Sequence, residues 1–395
     1  MSRTVPSAQR GLALVAAILA VAALFAVRWS GGNSGGWVDL GVYERGAQAV
    51  VTRAPLYESS SGVLPFTYSP FAALVFVPLH FLGTATARWL FTAGSLISYL
   101  IAVGACGRRL RLPWGRLGLV ALAGMALEPF VRTILLGQIN LYLMALVVVD
   151  CLVMRRAHRG WLVGVAAGIK IIPGVFALYF LLQRDWRSAG RAAAGFLVTV
   201  VCGALVAPQD SLRYWRGGLF GISHWGPVAV VDAKNQSLIG QLARISHEPS
   251  PLILTTLVLA AAGLALGLAA ARRQLRIGDE VAALTAVAIG GLLASPLSWT
   301  HHWVWAVPAV MVLVSRRQWA PAGLLALVFA VGSARGVTLA PSQESLTVLQ
   351  QVASATYVAA GAGLLAIWAW GSGRWGRSAA APAQDGAEMS AGATL

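Results

Sequence analysis

The stretch that decides the fold class is ILTTLVLAAAGLALGLAAARRQLR, residues 253–276. Residues 253–271 are uncharged, and Arg272, Arg273 and Arg276 follow directly. A helix needs ~20 apolar residues to cross the ~30 Å hydrocarbon core of a bilayer, and short cytoplasmic loops retain arginine and lysine. The stretch therefore predicts a transmembrane helix that ends at the cytoplasmic face.

The same alternation of apolar runs and arginine clusters extends over nearly the whole chain. Hydrophobic residues make up 57% of the 395 residues and charged residues 11%, against about 25% charged residues in soluble domains. Because most arginines lie in short clusters between apolar runs, the net charge of +16 indicates membrane topology rather than nucleic-acid binding. We therefore predict an all-α, polytopic transmembrane bundle with about 11–13 spans.

The predicted organisation is a single transmembrane domain over residues 1–377 and a disordered cytoplasmic tail over residues 378–395, which is rich in Ala, Gly and Ser. Residues 11–27 are interpreted as an uncleaved first span with the N-terminus inside. The arginine clusters then assign the later loops alternately to the cytoplasmic side and the outer side of the membrane. This topology places two long polar segments outside, residues 29–69 and residues 208–250.

Two apolar segments do not fit a single straight span. Residues 160–183 carry Lys170 near their centre, where a charge at mid-bilayer costs several kcal/mol, so we predict two half-spans that bring Lys170 to the outer side. Residues 70–107 are long enough for two spans, whereas the flanking charges require an odd number of crossings, and the sequence leaves both counts open. Residues 40–53 predict a short interfacial helix.

Asp39 is the acidic residue whose position points most directly to catalysis. It follows the glycine-rich segment GGNSGGW, residues 31–37, at the start of the predicted interfacial helix. Tyr43 follows one helical turn later on the same face. The structural alternative is that Asp39 is the N-cap of this helix, a role that does not exclude catalysis.

Further polar residues collect at predicted outer positions. Tyr68 lies in PFTYSP at the entry to an apolar run, and Gln138 and Asn140 lie in an outer turn downstream of Arg132. Amides hydrogen-bond well to sugar hydroxyls. Each motif also has a structural interpretation, because prolines start helices, aromatic residues form interfacial belts and amides cap helices.

The two lysines form a second group of candidates. Only Lys170 and Lys234 are lysines among the 30 basic residues, and both lie at predicted outer positions. A compact ammonium group is a good point charge for phosphate. The alternatives to phosphate binding are that the two positions arise by chance, or that the lysine side chains extend to the membrane interface. Asn235 and Gln236 directly follow Lys234 in the long outer segment.

Metal and disulfide chemistry find little support. Cys106, Cys151 and Cys202 are odd in number and lack CxxC spacing, so they are interpreted as small core residues. His301 and His302 are adjacent, and no HExxH pattern or neighbouring carboxylate completes a metal site. A histidine that donates a hydrogen bond or a charge to phosphate fits this position better, and an interfacial Trp/His belt is the structural alternative.

Taken together, these motifs resemble glycosyltransferase family 87, which contains membrane enzymes of the GT-C class. The motifs follow the family's order and cover nearly the whole chain. The resemblance implies a polyprenyl-phosphate-mannose-dependent α-mannosyltransferase that acts on phosphatidylinositol mannosides, lipomannan or lipoarabinomannan, with its active site at the outer face of the inner membrane. The matching motifs are Asp39–Tyr43, Phe66–Pro70, Gly137–Asn140, Lys170 with Pro173, Asn235–Ser237 and Ser295–His302.

The resemblance also implies roles for individual residues. In GT-C enzymes an acid in the first outer loop is the catalytic base, which corresponds to Asp39. We expect attack on a β-linked donor from the opposite face, which inverts the configuration. Because no paired-carboxylate metal motif accompanies Asp39, we expect transfer without a metal or cofactor. The donor-phosphate ligands that we expect are Lys170, His301, His302, Lys234 and Arg132. The sugar or acceptor ligands that we expect are Tyr43, Tyr68, Gln138, Asn140, Asn235 and Gln236.

Two alternatives remain at this point. A transporter or flippase for a lipid-linked sugar would also need cations and aromatic residues in a membrane cavity. Transporters place polar groups near mid-bilayer, often in repeated halves, whereas the candidates here lie near the outer face and no repeat is visible. The second alternative is a GT-C transferase that uses another sugar, such as arabinose or glucose.

Overall fold

The computed structural model describes residues 36–58, 64–218, 226–246, 252–332 and 348–372. Within these ranges the protein is helical, with an isolated antiparallel bridge between Asn235 and Trp299, which confirms the all-α class. The helices are α1 (Val38–Thr52), α2 (Pro70–His80), α3 (Thr84–Arg109), α4 (Trp114–Met125), α5 (Glu128–Leu136), α6 (Asn140–Val148), α7 (Trp161–Ile169), α8 (Ala177–Leu182), α9 (Trp186–Val206), α10 (Pro208–Arg213), α11 (Gly226–Val231), α12 (Leu238–Ser246), α13 (Ile253–Arg276), α14 (Glu280–Ala294), α15 (Ala306–Ser315), α16 (Trp319–Val331), α17 (Val348–Ser354) and α18 (Thr356–Trp370), with short 3-10 helices at Ile172–Phe176 and Thr300–Trp305 and π-helical turns at Val149–Val153 and Tyr214–Gly218.

Three helices in the described ranges, α3, α9 and α13, are long and apolar enough to cross a bilayer. The pair α4 and α5 adds a fourth span if the two helices, bent by 59°, count as one. Helix α13 coincides with the decisive stretch 253–276 and confirms its prediction. The remaining apolar helices are shorter, so the larger predicted number of spans stays a prediction. The predicted first span (residues 11–27) and tail (residues 378–395) lie outside the described residues.

The two irregular apolar segments have distinct structures. Helix α7 ends at Ile169, and Lys170 adopts an extended conformation with φ −144° and ψ 126°. The 3-10 helix and α8 follow, which confirms the predicted break at Lys170. Residues 70–107 form two separate helices, α2 and α3.

Helix α7 is also anchored at its other end. The buried carboxylate of Asp150 accepts hydrogen bonds of 2.7 Å from the backbone N–H groups of Gly160 and Val163. These N–H groups lie at the start of α7, where no earlier carbonyl is available to them. Asp150 therefore fixes the helix whose C-terminal end carries Lys170.

Helix α1 begins before Asp39, which the structural alternative made its N-cap. Its N-cap is Trp37, in a left-handed conformation with φ 67°, and Asp39 is the second helical residue. The interpretation of Asp39 as the N-cap is therefore wrong, because the carboxylate lies inside the first turn. Leu40 and Tyr43 belong to the buried face of α1, and this face packs against α2.

Close helix packing positions the segment that carries the two histidines. A Cβ atom on Gly267 of α13 would lie 2.6 Å from the Cα atom of Gly290 of α14. The two backbones therefore touch, as small residues allow in membrane helix pairs. Helix α14 is buried from Val281 to Leu293 and leads directly into the segment with His301 and His302.

Candidate active site

The turn after α5 brings an amide to Asp39. Gly137 ends α5 in a left-handed conformation with φ 67°, which glycine adopts without strain. A Cβ atom there would lie 2.7 Å from Cβ of Leu40, so the turn packs directly on α1. The backbone N–H of Trp37 donates to the carbonyl of Leu135 at 2.8 Å. Gln138, which follows Gly137, is therefore held beside the first turn of α1.

Asp39 is partly exposed and faces one amide and two cations. Burial raises the pKa of its carboxyl group above the ordinary value, whereas a side-chain hydrogen bond with Gln138 and the positive charges of Lys170 and Arg132 lower the pKa. A carboxylate that remains accessible, and whose pKa lies closer to neutrality than that of an ordinary aspartate, is suited to general-base chemistry.

Tyr43 and Tyr68 adjoin the same amide. The Tyr43 hydroxyl donates to Oε1 of Gln138 at 2.9 Å, and Nε2 of Gln138 donates to the Tyr68 hydroxyl at 3.2 Å. The two hydroxyl oxygens lie 3.1 Å apart. The three side chains thus adjoin one another, and their expected role as sugar or acceptor ligands stays a prediction.

Lys170 is the cationic centre of the site. Its ammonium nitrogen lies 3.0 Å from Oδ1 of Asn140 and 3.0 Å from Nε2 of His302. It also lies 5.7 Å from the centre of the Tyr68 ring, within range of a cation–π interaction. The break at the end of α7 therefore places the Lys170 ammonium group between His302 and Tyr68.

The histidine segment is held by its backbone. Nδ2 of Asn140 and the Thr133 hydroxyl both donate to the carbonyl of His301, at 2.8 and 3.2 Å. The rings of His301 and His302 meet edge to face at 4.8 Å. Nε2 of His301 and Nδ1 of His302 are buried and hydrogen-bond to no described residue. Because an unpaired buried polar atom is costly, these nitrogens are available for a ligand.

Arg132 and Lys234 contribute charge at the edge of the site. Arg132 lies on α5 and acts electrostatically on both Asp39 and His301. Lys234 also acts electrostatically on His301, and its backbone carbonyl accepts from the N–H of Thr300 at 2.9 Å. The structure thus brings both of these predicted cations towards the histidine segment.

Asn235 and Gln236 are not brought to Asp39. Nδ2 of Asn235 donates to the carbonyls of Val230 and Pro296, and its Oδ1 accepts from the N–H of Ser298. Nε2 of Gln236 donates to the carbonyls of Ala233 and Ser354. Both side chains are fully buried. Asn235 holds the segment before the histidines in place through Pro296 and Ser298, whereas Gln236 is bound to Ala233 and Ser354.

An apolar cleft opens beside Lys170. Its polar lining consists of Asn140, Lys170 and His302. Neither this cleft nor Thr133 was predictable from the sequence, because apolar and hydroxyl residues in a membrane helix carry no distinctive pattern. The remaining lining residues are Leu143, Met144, Val147, Ile172, Pro173, Phe176, Leu292, Val304 and Trp305.

The described ranges contain no group of three or more His, Cys, Asp and Glu residues placed to hold a metal ion. Metal-independent chemistry stays a prediction. Cys106, Cys151 and Cys202 are free thiols, of which the first two are buried. They fit the predicted role of small core residues.

Comparison with known proteins adds an independent line of evidence. The model of glycosyltransferase family 87 matches residues 66–300. Asp39 and Tyr43 precede this range, and His301 and His302 follow it directly. No solved structure shows significant similarity to the chain.

Three curated relatives have named activities. A polyprenol-phosphate-mannose-dependent alpha-(1-2)-phosphatidylinositol mannoside mannosyltransferase of Mycolicibacterium smegmatis is 35% identical over 359 residues, 81% of each chain. A protein of the same name from Mycobacterium tuberculosis is 35% identical over 322 residues, 75% of this chain and 74% of the relative. A corresponding pentamannoside mannosyltransferase of Mycolicibacterium smegmatis is 34% identical over 330 residues, 78% of each chain. With the family model matching over half of the sequence and these relatives aligned over most of it, the chain belongs to glycosyltransferase family 87.

Proposed function

We propose that this glycosyltransferase moves mannose from polyprenyl-phosphate-mannose to a phosphatidylinositol mannoside or lipomannan-type glycolipid, with Asp39 as the general base. The observation that carries the proposal is that Lys170, which lines an apolar cleft, acts electrostatically on the partly exposed carboxylate of Asp39. A carboxylate can remove a proton from a hydroxyl group, and a fixed cation can stabilise a phosphate leaving group. The names of the relatives support the same donor and acceptor class.

The cleft supports a lipid-linked phosphate as the donor. Apolar side chains form most of its lining, and the polar groups Asn140, Lys170 and His302 adjoin one another. An isoprenoid chain gains free energy when it is buried against such side chains. Its phosphate would then meet Lys170, with His301, His302, Arg132 and Lys234 adding hydrogen bonds or charge.

The proposed reaction balances with these groups alone. The Asp39 carboxylate takes the proton of the acceptor hydroxyl, and the acceptor oxygen forms a bond to the anomeric carbon. The bond between that carbon and the phosphate oxygen breaks on the opposite face, and its electron pair leaves with polyprenyl phosphate. Starting from a β-linked donor, this displacement inverts the configuration and gives an α-mannoside.

The charge distribution along α9 supports an outer-face location. Near the C-terminal end of α9, Gly203 approaches Pro70 and Phe71 at the start of α2, close to Tyr68. At the opposite end, Arg191 donates to the carbonyl of Arg159 at 2.7 Å. A helix of this length crosses the hydrocarbon core, and arginines favour the cytoplasmic side. These features support our proposal that the site faces outward from the inner membrane.

The test is transfer from synthetic polyprenyl-phosphate-mannose to a mannosylated phosphatidylinositol acceptor in membranes. The variants are Asp39→Asn and Asp39→Ala, and the matched control is Glu44→Gln on the same helix. We expect wild type and Glu44→Gln to extend the acceptor and both Asp39 variants to lose transfer. Normal transfer by Asp39→Asn would contradict the base assignment.

The same assay separates the alternatives. If wild type transfers arabinose or glucose from the corresponding lipid-linked donors but not mannose, the enzyme class stands and the proposed sugar is wrong. If wild type transfers no sugar but moves a fluorescent lipid-linked sugar between vesicle leaflets, the transporter interpretation replaces the proposal. The specific linkage follows from digestion of the product with a linkage-selective mannosidase.

A further inference from the structure

Thr300 carries a buried hydroxyl group without a hydrogen-bond partner among the described residues. It is the first residue of the 3-10 helix Thr300–Trp305 and is 0% exposed. Its Oγ1 atom hydrogen-bonds to no described residue. Because an unpaired hydroxyl group in a protein interior lowers the stability of the fold, a threonine at this position is explained by binding rather than by stability.

The residues that follow Thr300 share this property. Nε2 of His301 and Nδ1 of His302 are also buried without a partner among the described residues. Nε1 of Trp303 is unpaired as well, but its ring packs in the core against Tyr357. Native proteins contain few such atoms, so their concentration in consecutive residues indicates that a ligand binds at this segment.

A backbone pairing places Lys234 opposite Thr300. The N–H group of Thr300 donates to the carbonyl of Lys234 at 2.9 Å, next to the antiparallel bridge between Asn235 and Trp299. Opposite residues of an antiparallel pair place their side chains on the same side, with Cβ atoms ~5 Å apart. The partly exposed Lys234 side chain can therefore reach the same ligand as the Thr300 hydroxyl group.

Both lysines of the chain meet this segment from different elements. The ammonium nitrogen of Lys170 lies 3.0 Å from Nε2 of His302, whereas Lys234 pairs with Thr300 from the connection between α11 and α12. A phosphate monoester carries a charge of about −1.5 to −2 at neutral pH. The positive charges of the two lysines match the charge of such a group.

We propose that Thr300 is a further ligand of the donor phosphate, and that its hydroxyl group donates a hydrogen bond to a phosphate oxygen beside Lys234. This inference rests on the proposed use of polyprenyl-phosphate-mannose as the donor. The phosphate gains negative charge when the bond to mannose breaks and its electron pair leaves with polyprenyl phosphate. Hydrogen bonds to charged oxygens are stronger, so Thr300 acts mainly on the leaving group, and its own proton stays in place.

The test compares Thr300→Val, which keeps the branched side chain, with Thr300→Ser, which keeps the hydroxyl group. We expect Thr300→Val to lower kcat roughly tenfold through loss of one hydrogen bond to a charged group. Thr300→Ser should lose less than about threefold. Synthetic polyprenyl phosphate, added as the product, should inhibit Thr300→Val with a Ki roughly tenfold higher than wild type, while the acceptor KM stays unchanged.

Thermal unfolding in detergent without substrates separates binding from a structural role. Valine removes the unpaired hydroxyl group and fills almost the same space, so the cost of burying that group disappears. We expect Thr300→Val to keep or raise the unfolding temperature although it lowers kcat. A clear decrease in the unfolding temperature would show that the hydroxyl group stabilises the fold and would overturn the inference.

Thr285→Val is the matched control. Thr285 is also fully buried, but its hydroxyl group donates to the carbonyl of Val281 at 2.7 Å within α14. The same chemical change is thus made at a hydroxyl group that already has a partner. We expect Thr285→Val to keep the kcat of wild type and the same Ki for polyprenyl phosphate.

Two further results would overturn the inference. Equal losses in Thr300→Val and Thr300→Ser, or a raised acceptor KM with an unchanged Ki, would show that the hydroxyl group does not bind the donor phosphate. If wild type is active and Asp39→Asn inactive in the same assay, only the role of Thr300 is then wrong and the proposed function stands. If wild type transfers no mannose from polyprenyl-phosphate-mannose, the proposed function and this inference are both wrong.

Discussion

The ammonium nitrogen of Lys170 lies 3.0 Å from Nε2 of His302, although 132 residues separate the two in the chain. A protonated amine only donates hydrogen bonds, so Nε2 is the acceptor and the His302 ring is neutral with its hydrogen on Nδ1. Nδ1 is buried and hydrogen-bonds to no described residue. In the proposed site, His302 therefore connects Lys170 with an oxygen of the substrate.

This relationship predicts different outcomes for two His302 variants. The amide of His302→Gln can place an oxygen near the former Nε2 position and accept from Lys170, whereas His302→Leu removes both polar atoms. We expect His302→Gln to retain measurable transfer and His302→Leu to lose about tenfold more activity. The measurement is kcat/KM for the donor, and equal losses in both variants would contradict the acceptor role of Nε2.

Lys170 itself should have the largest effect among the cations. Removal of one preorganised group that stabilises a leaving group typically lowers kcat by ~10²–10³, and we expect this loss for Lys170→Ala. Lys234→Ala is the comparison, because Lys234 acts at the edge of the site, and its loss should be smaller. If Lys234→Ala proves the more damaging change, the phosphate site is centred elsewhere.

The pH dependence of transfer should report Asp39. The base must be unprotonated, and burial raises the pKa of the Asp39 carboxyl group. Activity should therefore fall with decreasing pH at a value above the ~3.9 of an ordinary aspartate. The measurement is kcat/KM against pH for wild type, and any residual activity of Asp39→Asn should lack this acid limb. An acid limb that persists unchanged in Asp39→Asn belongs to another group.

Transfer should not depend on a metal ion. The described residues offer one carboxylate, Asp39, beside the cations Lys170 and Arg132, an arrangement that stabilises a phosphate without a divalent ion. We expect full activity after exhaustive chelation in membranes washed free of metal. A loss of transfer that manganese or magnesium restores would disprove this prediction.

The contact between α13 and α14 predicts an unusual response to a helix-favouring substitution. Alanine is the better helix former, but a Cβ atom on Gly267 would press against Gly290. We expect Gly267→Ala to lower the thermal unfolding temperature in detergent. Gly104→Ala on α3 is the matched control, since a Cβ atom there meets nothing within 4 Å, and it should leave the unfolding temperature unchanged or higher. Equal responses would show that the two backbones are not in contact.

Part of the site was predictable because polar residues are rare in this chain. Asp39, Gln138, Asn140 and Lys170 interrupt apolar surroundings where each polar group is costly. In the structure Lys170 contacts Asn140 and acts electrostatically on Asp39. The break at Lys170 was predictable for the same energetic reason. Such reasoning identifies residues that need a partner, but it does not identify the partner.

The remaining features depend on three-dimensional packing. Asn235 and Gln236 have the chemistry of sugar ligands, yet their amide nitrogens donate to backbone carbonyls. Trp37, in a left-handed conformation, is the N-cap of α1 in place of Asp39. The apolar cleft is lined by residues that are indistinguishable in sequence from ordinary span residues, so only the assembled helices define it.

The long sequence separations within the site have a consequence for biosynthesis. Tyr43 reaches Gln138 across 95 residues, and Lys170 reaches His302 across 132 residues. A chain that enters the bilayer from its N-terminus therefore holds Lys170 without its histidine partner until α14 and the following segment have been synthesised. With Lys170 and His302 in their proposed roles, catalytic competence is acquired late, after most of the bundle has been inserted. A nascent or truncated chain that ends before His301 would be anchored in the membrane and still be inactive, so a partly made enzyme cannot consume the donor.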